Sequence, residues 1–354
     1  MRRTLAVLGV LGLMTSHSKA ASAAPWIRSG IETPKQLWGI EGGILIAIWP
    51  SGIEGDAVGG PRGLFRVGYH VQGDQGRLIN FIAVEPIVAS KARGLSELEA
   101  SRFDGQKGKV FAPASRPAES FSPDGLAEHA ARRPTPSPGW IDHPDPALPN
   151  VERLNVEFFI EAFHNGAHPR VVASIRMDRP DEVAFRVEAE PDSKPMSACV
   201  LTATMGNYMR ARRLWLADRV VEARDLWPDF QGDGFAPPRF FDRSQLLSTA
   251  EDDVWAAITT DEDDPAAVVP LASPFWRYRA EKRTQRWRIP AGMASAEAQL
   301  KVNGRCVYWA SKSLIPGGTA FENFELVEPF RPGQVFVFGL TKESPPLPNA
   351  ASRR

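Results

Sequence analysis

The chain has 354 residues, 43% of them apolar, and its 42 basic and 42 acidic side chains cancel to a formal net charge of zero. A chain of that length buries an ample core, and its charge balance supplies no global field that would draw it to nucleic acid. The two cysteines, Cys199 and Cys306, stand too far apart for a zinc site. In an exported protein they either bridge or remain buried thiols.

The first residues, MRRTLAVLGVLGLMTSHSKAASAAPW, set a basic pair before a short apolar run and a small-residue site at Ala21-Ser22-Ala23. That order predicts a secretory signal peptide over 1–23, and hence a secreted or periplasmic protein; Arg2-Arg3 also fits the twin-arginine variant. The next segment, WGIEGGILIAIWPSG, reads as a buried strand entering a sheet, with Gly42 and Gly43 allowing close backbone approach and Trp49-Pro50 turning the chain outward. It is not a phosphate loop, because no Gly-Lys-Ser/Thr and no helical periodicity follow.

Period two dominates the rest. FRVGYHV and RLINFIAV enclose Gly73-Asp74-Gln75-Gly76 and predict a hairpin. The Pro-, Ser- and Ala-rich stretch 112–149 reads as a long insertion. NVEFFIEAF and RVVASIRM predict a second hairpin around His164 to Pro169, and VAFRVEA alternates Val183, Phe185 and Val187 against Arg186 and Glu188. Helical signals are short: Ser96 to Ser101, and Arg243 to Leu247 behind Asp242. QLKVNGRCVYW carries Asn303-Gly304, a two-residue hairpin signal because both positions tolerate positive φ. QVFVFGL reads as the last strand, before a disordered tail at 344–354. Strands without β-α alternation predict an all-β protein, a single antiparallel domain of two large packed sheets over 24–343 with few short helices. No other apolar stretch reaches membrane-spanning length.

Several side chains have the chemistry of a site. His164 and His168 bracket a turn, and imidazole gives or takes protons near neutral pH. Asn207, Tyr208 and Arg212 lie in MGNYMRARR, a set of amide, phenol and guanidinium groups suited to sugar hydroxyls and acidic groups. Glu41, Glu85, Glu322 and Glu325 lie in or beside apolar strands, where a carboxylate is either paired or held in a cleft. Two acidic loops, Asp261 to Asp264 and Asp229 with Asp233, offer hard oxygens to Ca2+, or are solvated turns. No Gly-x-Ser-x-Gly elbow is present, which excludes an α/β-hydrolase.

The run Gly42-Gly43-Ile44 to Trp49-Pro50, followed by Pro61-Arg62-Gly63-Leu64-Phe65-Arg66, resembles the N-terminal region of the galactose-mutarotase-like (aldose-1-epimerase) family. FENFELVEPFRPGQ resembles that family's closing pattern, with Glu322 or Glu325 near its catalytic glutamate. Arg62 stands where the family has histidine. The resemblance implies a large antiparallel β-supersandwich fold and a carbohydrate-active protein without a cofactor. His164 or His168 would protonate the ring oxygen, and Glu322 or Glu325 would take the anomeric proton. Trp49, Arg62, Arg66, Asn207, Tyr208 and Arg212 would hold the saccharide. Two alternatives stay open. One is a non-catalytic glycan-binding or envelope-associated protein using Trp38, Trp49 or Trp227 as stacking platforms. The other is a polysaccharide lyase on acidic glycans, with Arg212 and Tyr208 in its site.

Overall fold

The computed structural model describes residues 26–28, 36–48, 64–70, 77–88, 112–113, 139–159, 163, 165–204, 210–249, 252–260, 282–308 and 313–346. Two antiparallel sheets pack face to face, so the expected all-β sandwich is the fold. The first sheet has the order β1 (Trp26–Arg28), β2 (Gln36–Ile40), β3 (Ile44–Ile48), β4 (Leu64–Tyr69), β5 (Arg77–Val88), β11 (Met196–Thr204), β19 (Ala320–Val327), β18 (Gln299–Arg305) and β14 (Arg239–Asp242). The second runs β13 (Val220–Glu222), β12 (Ala211–Trp215), β16 (Val254–Thr260), β17 (Thr284–Ile289), β20 (Gln334–Thr341), β10 (Arg179–Ala189), β9 (Pro169–Arg176), β8 (Arg153–Phe159) and β6 (Ala112–Pro113). β15 (Leu247–Ser248) adds to β16, and β7 (Trp140–Asp142) adds to β8. Among the described residues helix is confined to α1 (Ala223–Leu226) and a 3-10 turn at Arg243–Gln245 behind Asp242, whose backbone N–H donates to Gln245 Oε1; the expected helical segment Ser96 to Ser101 lies outside them.

The core follows from alternation. Val183, Phe185 and Val187 of β10 face inward, as do Ile82 and Val84 of β5, Leu201 and Ala203 of β11, and Phe336, Phe338 and Leu340 of β20. Trp38 packs edge-on against Phe158 across the two sheets, with ring centroids 5.6 Å apart. At the centre Trp287 meets Phe338 at 5.1 Å, and its Nε1 donates to the Phe324 carbonyl of the opposite sheet at 2.9 Å. Near one edge Trp26 Nε1 donates to Glu152 Oε2, again from sheet to sheet. Cys199 lies in this core and Cys306 just beyond β18; both are free thiols, and burial pushes Cys199 up to about 12.

Two local expectations change. The segment around Gly42-Gly43 is a turn between two strands, β2 and β3, rather than one strand. Gly42 has φ of +73°, and a side chain on Gly43 would lie 2.4 Å from the Pro180 carbonyl, so the turn fits under the β9–β10 hairpin only with glycine. Asn303-Gly304 is not a hairpin turn. β18 runs straight through it and pairs with β19 on both sides. Tertiary packing decides this: Asn303 Oδ1 accepts the Asn323 N–H, and a Cβ on Gly304 would sit 2.8 Å from the Ala320 carbonyl and 3.0 Å from Trp227.

Candidate functional site

The outer face of the first sheet gathers residues from distant parts of the chain. Leu64 of β4 pairs with Ala83 of β5, which pairs with Thr202 of β11. The β11–β19 register, Ala203 with Phe324 and Thr204 with Asn323, sets Thr202 beside Glu325; Glu325 pairs with Lys301, and Lys301 with Phe240. One residue pair along the alternation, the positions Arg66, Phe81, Thr204 and Asn323 form a parallel row. In the other direction Glu85 pairs with Val200. The inward partners of these residues belong to the core, so period two places this polar set on the opposite face.

Unusually for an outward sheet face, its centre is buried. Thr202, Thr204 and Asn323 are fully inaccessible, Glu322 and Glu325 are 1% exposed, and Glu85 is 3% exposed. Buried polar atoms need partners. Thr202 Oγ1 donates to Glu325 Oε2, and Lys301 Nζ lies 3.5 Å from Oε1. A hydroxyl and an ammonium thus fix both carboxylate oxygens of Glu325. Asn323 Nδ2 donates to Thr204 Oγ1 at 3.0 Å.

A β-bulge builds the cluster. Val302 pairs with Phe324 but Gly304 with Phe321, so Glu322 and Asn323 together oppose Asn303. The extra residue lets Phe321 and Phe324 both reach the core while Glu322, Asn323 and Glu325 crowd the outer side. The Phe324 carbonyl is satisfied by Trp287 from across the sandwich.

Of the predicted site residues, the fold brings the positions of Arg66, Glu322 and Glu325 to this one face. His168 is not among them. It precedes β9 in the second sheet, is 1% exposed, and its Nδ1 lies 2.7 Å from Asp192 Oδ1 while its backbone N–H donates to Ser193 Oγ. Arg212 is the extra residue of a bulge in β12 and donates to the carbonyls of Pro316 and Gly318, tying down the loop before β19. Trp38 and Trp227 are core residues rather than platforms; Trp227 Nε1 donates to the Pro237 carbonyl and its ring packs edge-on against Phe321. His164, Trp49, Arg62, Asn207, Tyr208 and the loop Asp261 to Asp264 lie outside the described residues. Among the described residues no group of three or more His, Cys, Asp or Glu side chains is placed to hold a metal ion, and no helix is long and apolar enough to cross a membrane.

Thr202, Thr204, Lys301 and Asn323 are the members that sequence reasoning missed. For Thr202, Thr204 and Lys301 the signal was present in VLTAT and QLKVN, where polar residues occupy one phase of an alternating strand. That phase normally faces solvent and attracts no notice. Comparison with protein-family models, with curated proteins and with solved structures finds no match to this chain.

Proposed function

We propose that this is an exported carbohydrate-active protein that seats a saccharide against the outer face of the first sheet. The observation that carries the reading is the adjacency just described: Arg66 from the N-terminal motif and Glu322 and Glu325 from the C-terminal motif occupy neighbouring rows with Thr202, Thr204 and Asn323. Hydroxyl, amide and carboxylate groups on a sheet are the hydrogen-bonding partners that a polyol needs, and at 0–1% exposure they would meet one only as it replaces what covers them. In an epimerase-like reaction one of the two glutamates would accept the anomeric proton. His168 would take no part, since it stands in the other sheet against Asp192. A binding role without turnover is favoured by one feature: Glu325 is held at both oxygens by Thr202 and Lys301, which suits a fixed acceptor for hydroxyls.

Proton NMR of the purified chain with a panel of neutral and acidic saccharides tests the proposal. Accelerated anomer exchange, or new sugar signals, that fall at least tenfold in Glu322→Gln or Glu325→Gln would support chemistry at this face. Line broadening without product, lost in the same variants, would support binding there. A panel with no response, or a response indifferent to both substitutions, would overturn the reading.

A further inference from the structure

The outer face of the second sheet has a different character. A trough of about 490 Å³ crosses it. One row of paired residues forms its floor: Trp140 of β7 faces Asn155 of β8, then Ser174 of β9, Ala184 of β10, Val337 of β20 and Arg288 of β17. Five strand spacings make this row about 24 Å long. Trp140, at the edge, is 41% exposed. Ser174 Oγ donates to Asn155 Oδ1 beside it. Small and β-branched residues keep the middle low.

Five guanidiniums and two carboxylates line the trough. Most of the arginines are engaged. Arg153 grips Asp142 at 2.8–2.9 Å, and Arg176 grips Asp178 at the same distances. Glu182 takes Arg286 at 2.6 Å on one oxygen and Arg288 at 2.7 Å on the other. Arg288 also reaches Asp253 at 3.0 Å. Two arginines differ. Arg179 comes no nearer than 3.8 Å to Glu182, a carboxylate already bonded on both oxygens, and Arg186 no nearer than 3.8 Å to Glu188. Both are about half exposed, at 49% and 53%. The excess positive charge of the trough is therefore concentrated in two guanidinium forks beside a floor of mixed polar and apolar residues, with an aromatic ring at one end.

We infer that this trough binds an extended acidic polysaccharide, with sugar carboxylates on Arg179 and Arg186 and a sugar ring on Trp140. A guanidinium presents paired donors that match a carboxylate. An exposed indole offers an apolar face to a pyranose ring. Ser174, held by Asn155, lies between Trp140 and the strand of the two arginines for a sugar hydroxyl. A chain of zero net charge makes general attraction of polyanions weak, so this local arrangement has to supply the recognition. The site is separate from the buried face of the first sheet, so it stands or falls independently of the function proposed there.

The test is a titration of the purified chain with an oligouronate, followed by tryptophan fluorescence and calorimetry. A neutral oligosaccharide and a short single-stranded oligonucleotide serve as comparisons. Saturable binding of the oligouronate is expected, at least tenfold tighter than the neutral sugar and weakened by salt. Arg179→Gln combined with Arg186→Gln should weaken it at least tenfold, and Trp140→Ala should weaken it severalfold. The arginine variants alter exposed side chains, and circular dichroism confirms their fold. Equal affinity for the neutral sugar, equal or tighter binding of the oligonucleotide, or indifference to the double variant would each overturn the inference.

Discussion

The two outer faces of this sandwich are built by the same rule and end in opposite states. On each, period two turns alternate side chains away from a shared core. On the first sheet those side chains are carboxylates, amides and hydroxyls, and they are buried: Glu322 and Glu325 are 1% exposed. On the second they are guanidiniums and their acids in a trough, largely open to water apart from Glu182, which is buried. Burial raises what each polar contact is worth, because an unmet group away from water costs about 1–3 kcal/mol. Exposure lowers it, because surface ion pairs contribute about 0–1 kcal/mol. The first face is therefore a place where one substitution is costly. The second is one where the acids serve to position arginines.

Trp287 stands between the faces and gives the largest effect. Its ring fills the centre, and its Nε1 secures the carbonyl at the β19 bulge that orients Glu322 and Asn323. Trp287→Ala should cost about 4–5 kcal/mol in chemical denaturation. Trp287→Phe keeps most of the packing and loses the hydrogen bond. It should cost about 1–2 kcal/mol and impair any saccharide response of the first face while sparing oligouronate binding in the trough. Equal damage to both functions would mean that the bulge has no special role.

The buried acid of each face comes next. Glu182→Gln removes the charge that holds Arg286 and Arg288 and should destabilise by about 3 kcal/mol. Because it also leaves the trough more positive, oligouronate affinity should rise or hold even as stability falls. Glu325→Gln leaves Lys301 without its carboxylate and should cost about 2 kcal/mol. There the saccharide response should fall together with stability. Opposite signs at the two acids are what separates a positioning acid from one that faces its ligand.

The sequence was legible where a single strand decides the matter. VAFRVEA, QVFVFGL and the two hairpins form strands in the phase that their alternation implies, because one buried face fixes it, although β10 begins four residues earlier and β5 ends four residues later than those runs. Contacts between strands were not legible. Asn303-Gly304 has the chemistry of a turn, and only the approach of Trp227 and Ala320 shows why glycine is needed in a continuing strand. His168 was a candidate on residue type alone; its pairing with Asp192 depends on the next turn of the chain. Trp140 was passed over inside a Pro-rich stretch, although it begins a short edge strand. The trough itself depends on sheet order. No reading of single strands places Trp140, Ser174 and Arg288 in one row, since that needs β7, β9 and β17 to be set in line by the strands between them.

The smallest effect concerns the pair at the rim of the trough. Two bonds from Arg153 hold the Asp142 carboxyl below its ordinary value of 3.8. A carboxylate whose folded pKa is depressed stabilises the fold above its unfolded pKa, and that contribution is lost as the pH falls through the folded value. Both partners are about a third exposed, so solvent screening keeps the contribution well under 1 kcal/mol. Asp142→Asn should therefore lower stability slightly and evenly from pH 7 to about pH 5, and the gap should close toward pH 2. The same substitution releases Arg153 into the trough. At neutral pH it should tighten oligouronate binding by about twofold while leaving the first face untouched. A loss of affinity would instead mean that Arg153 must be held by Asp142 to serve the ligand, and that the trough depends on fixed geometry more than on its charge.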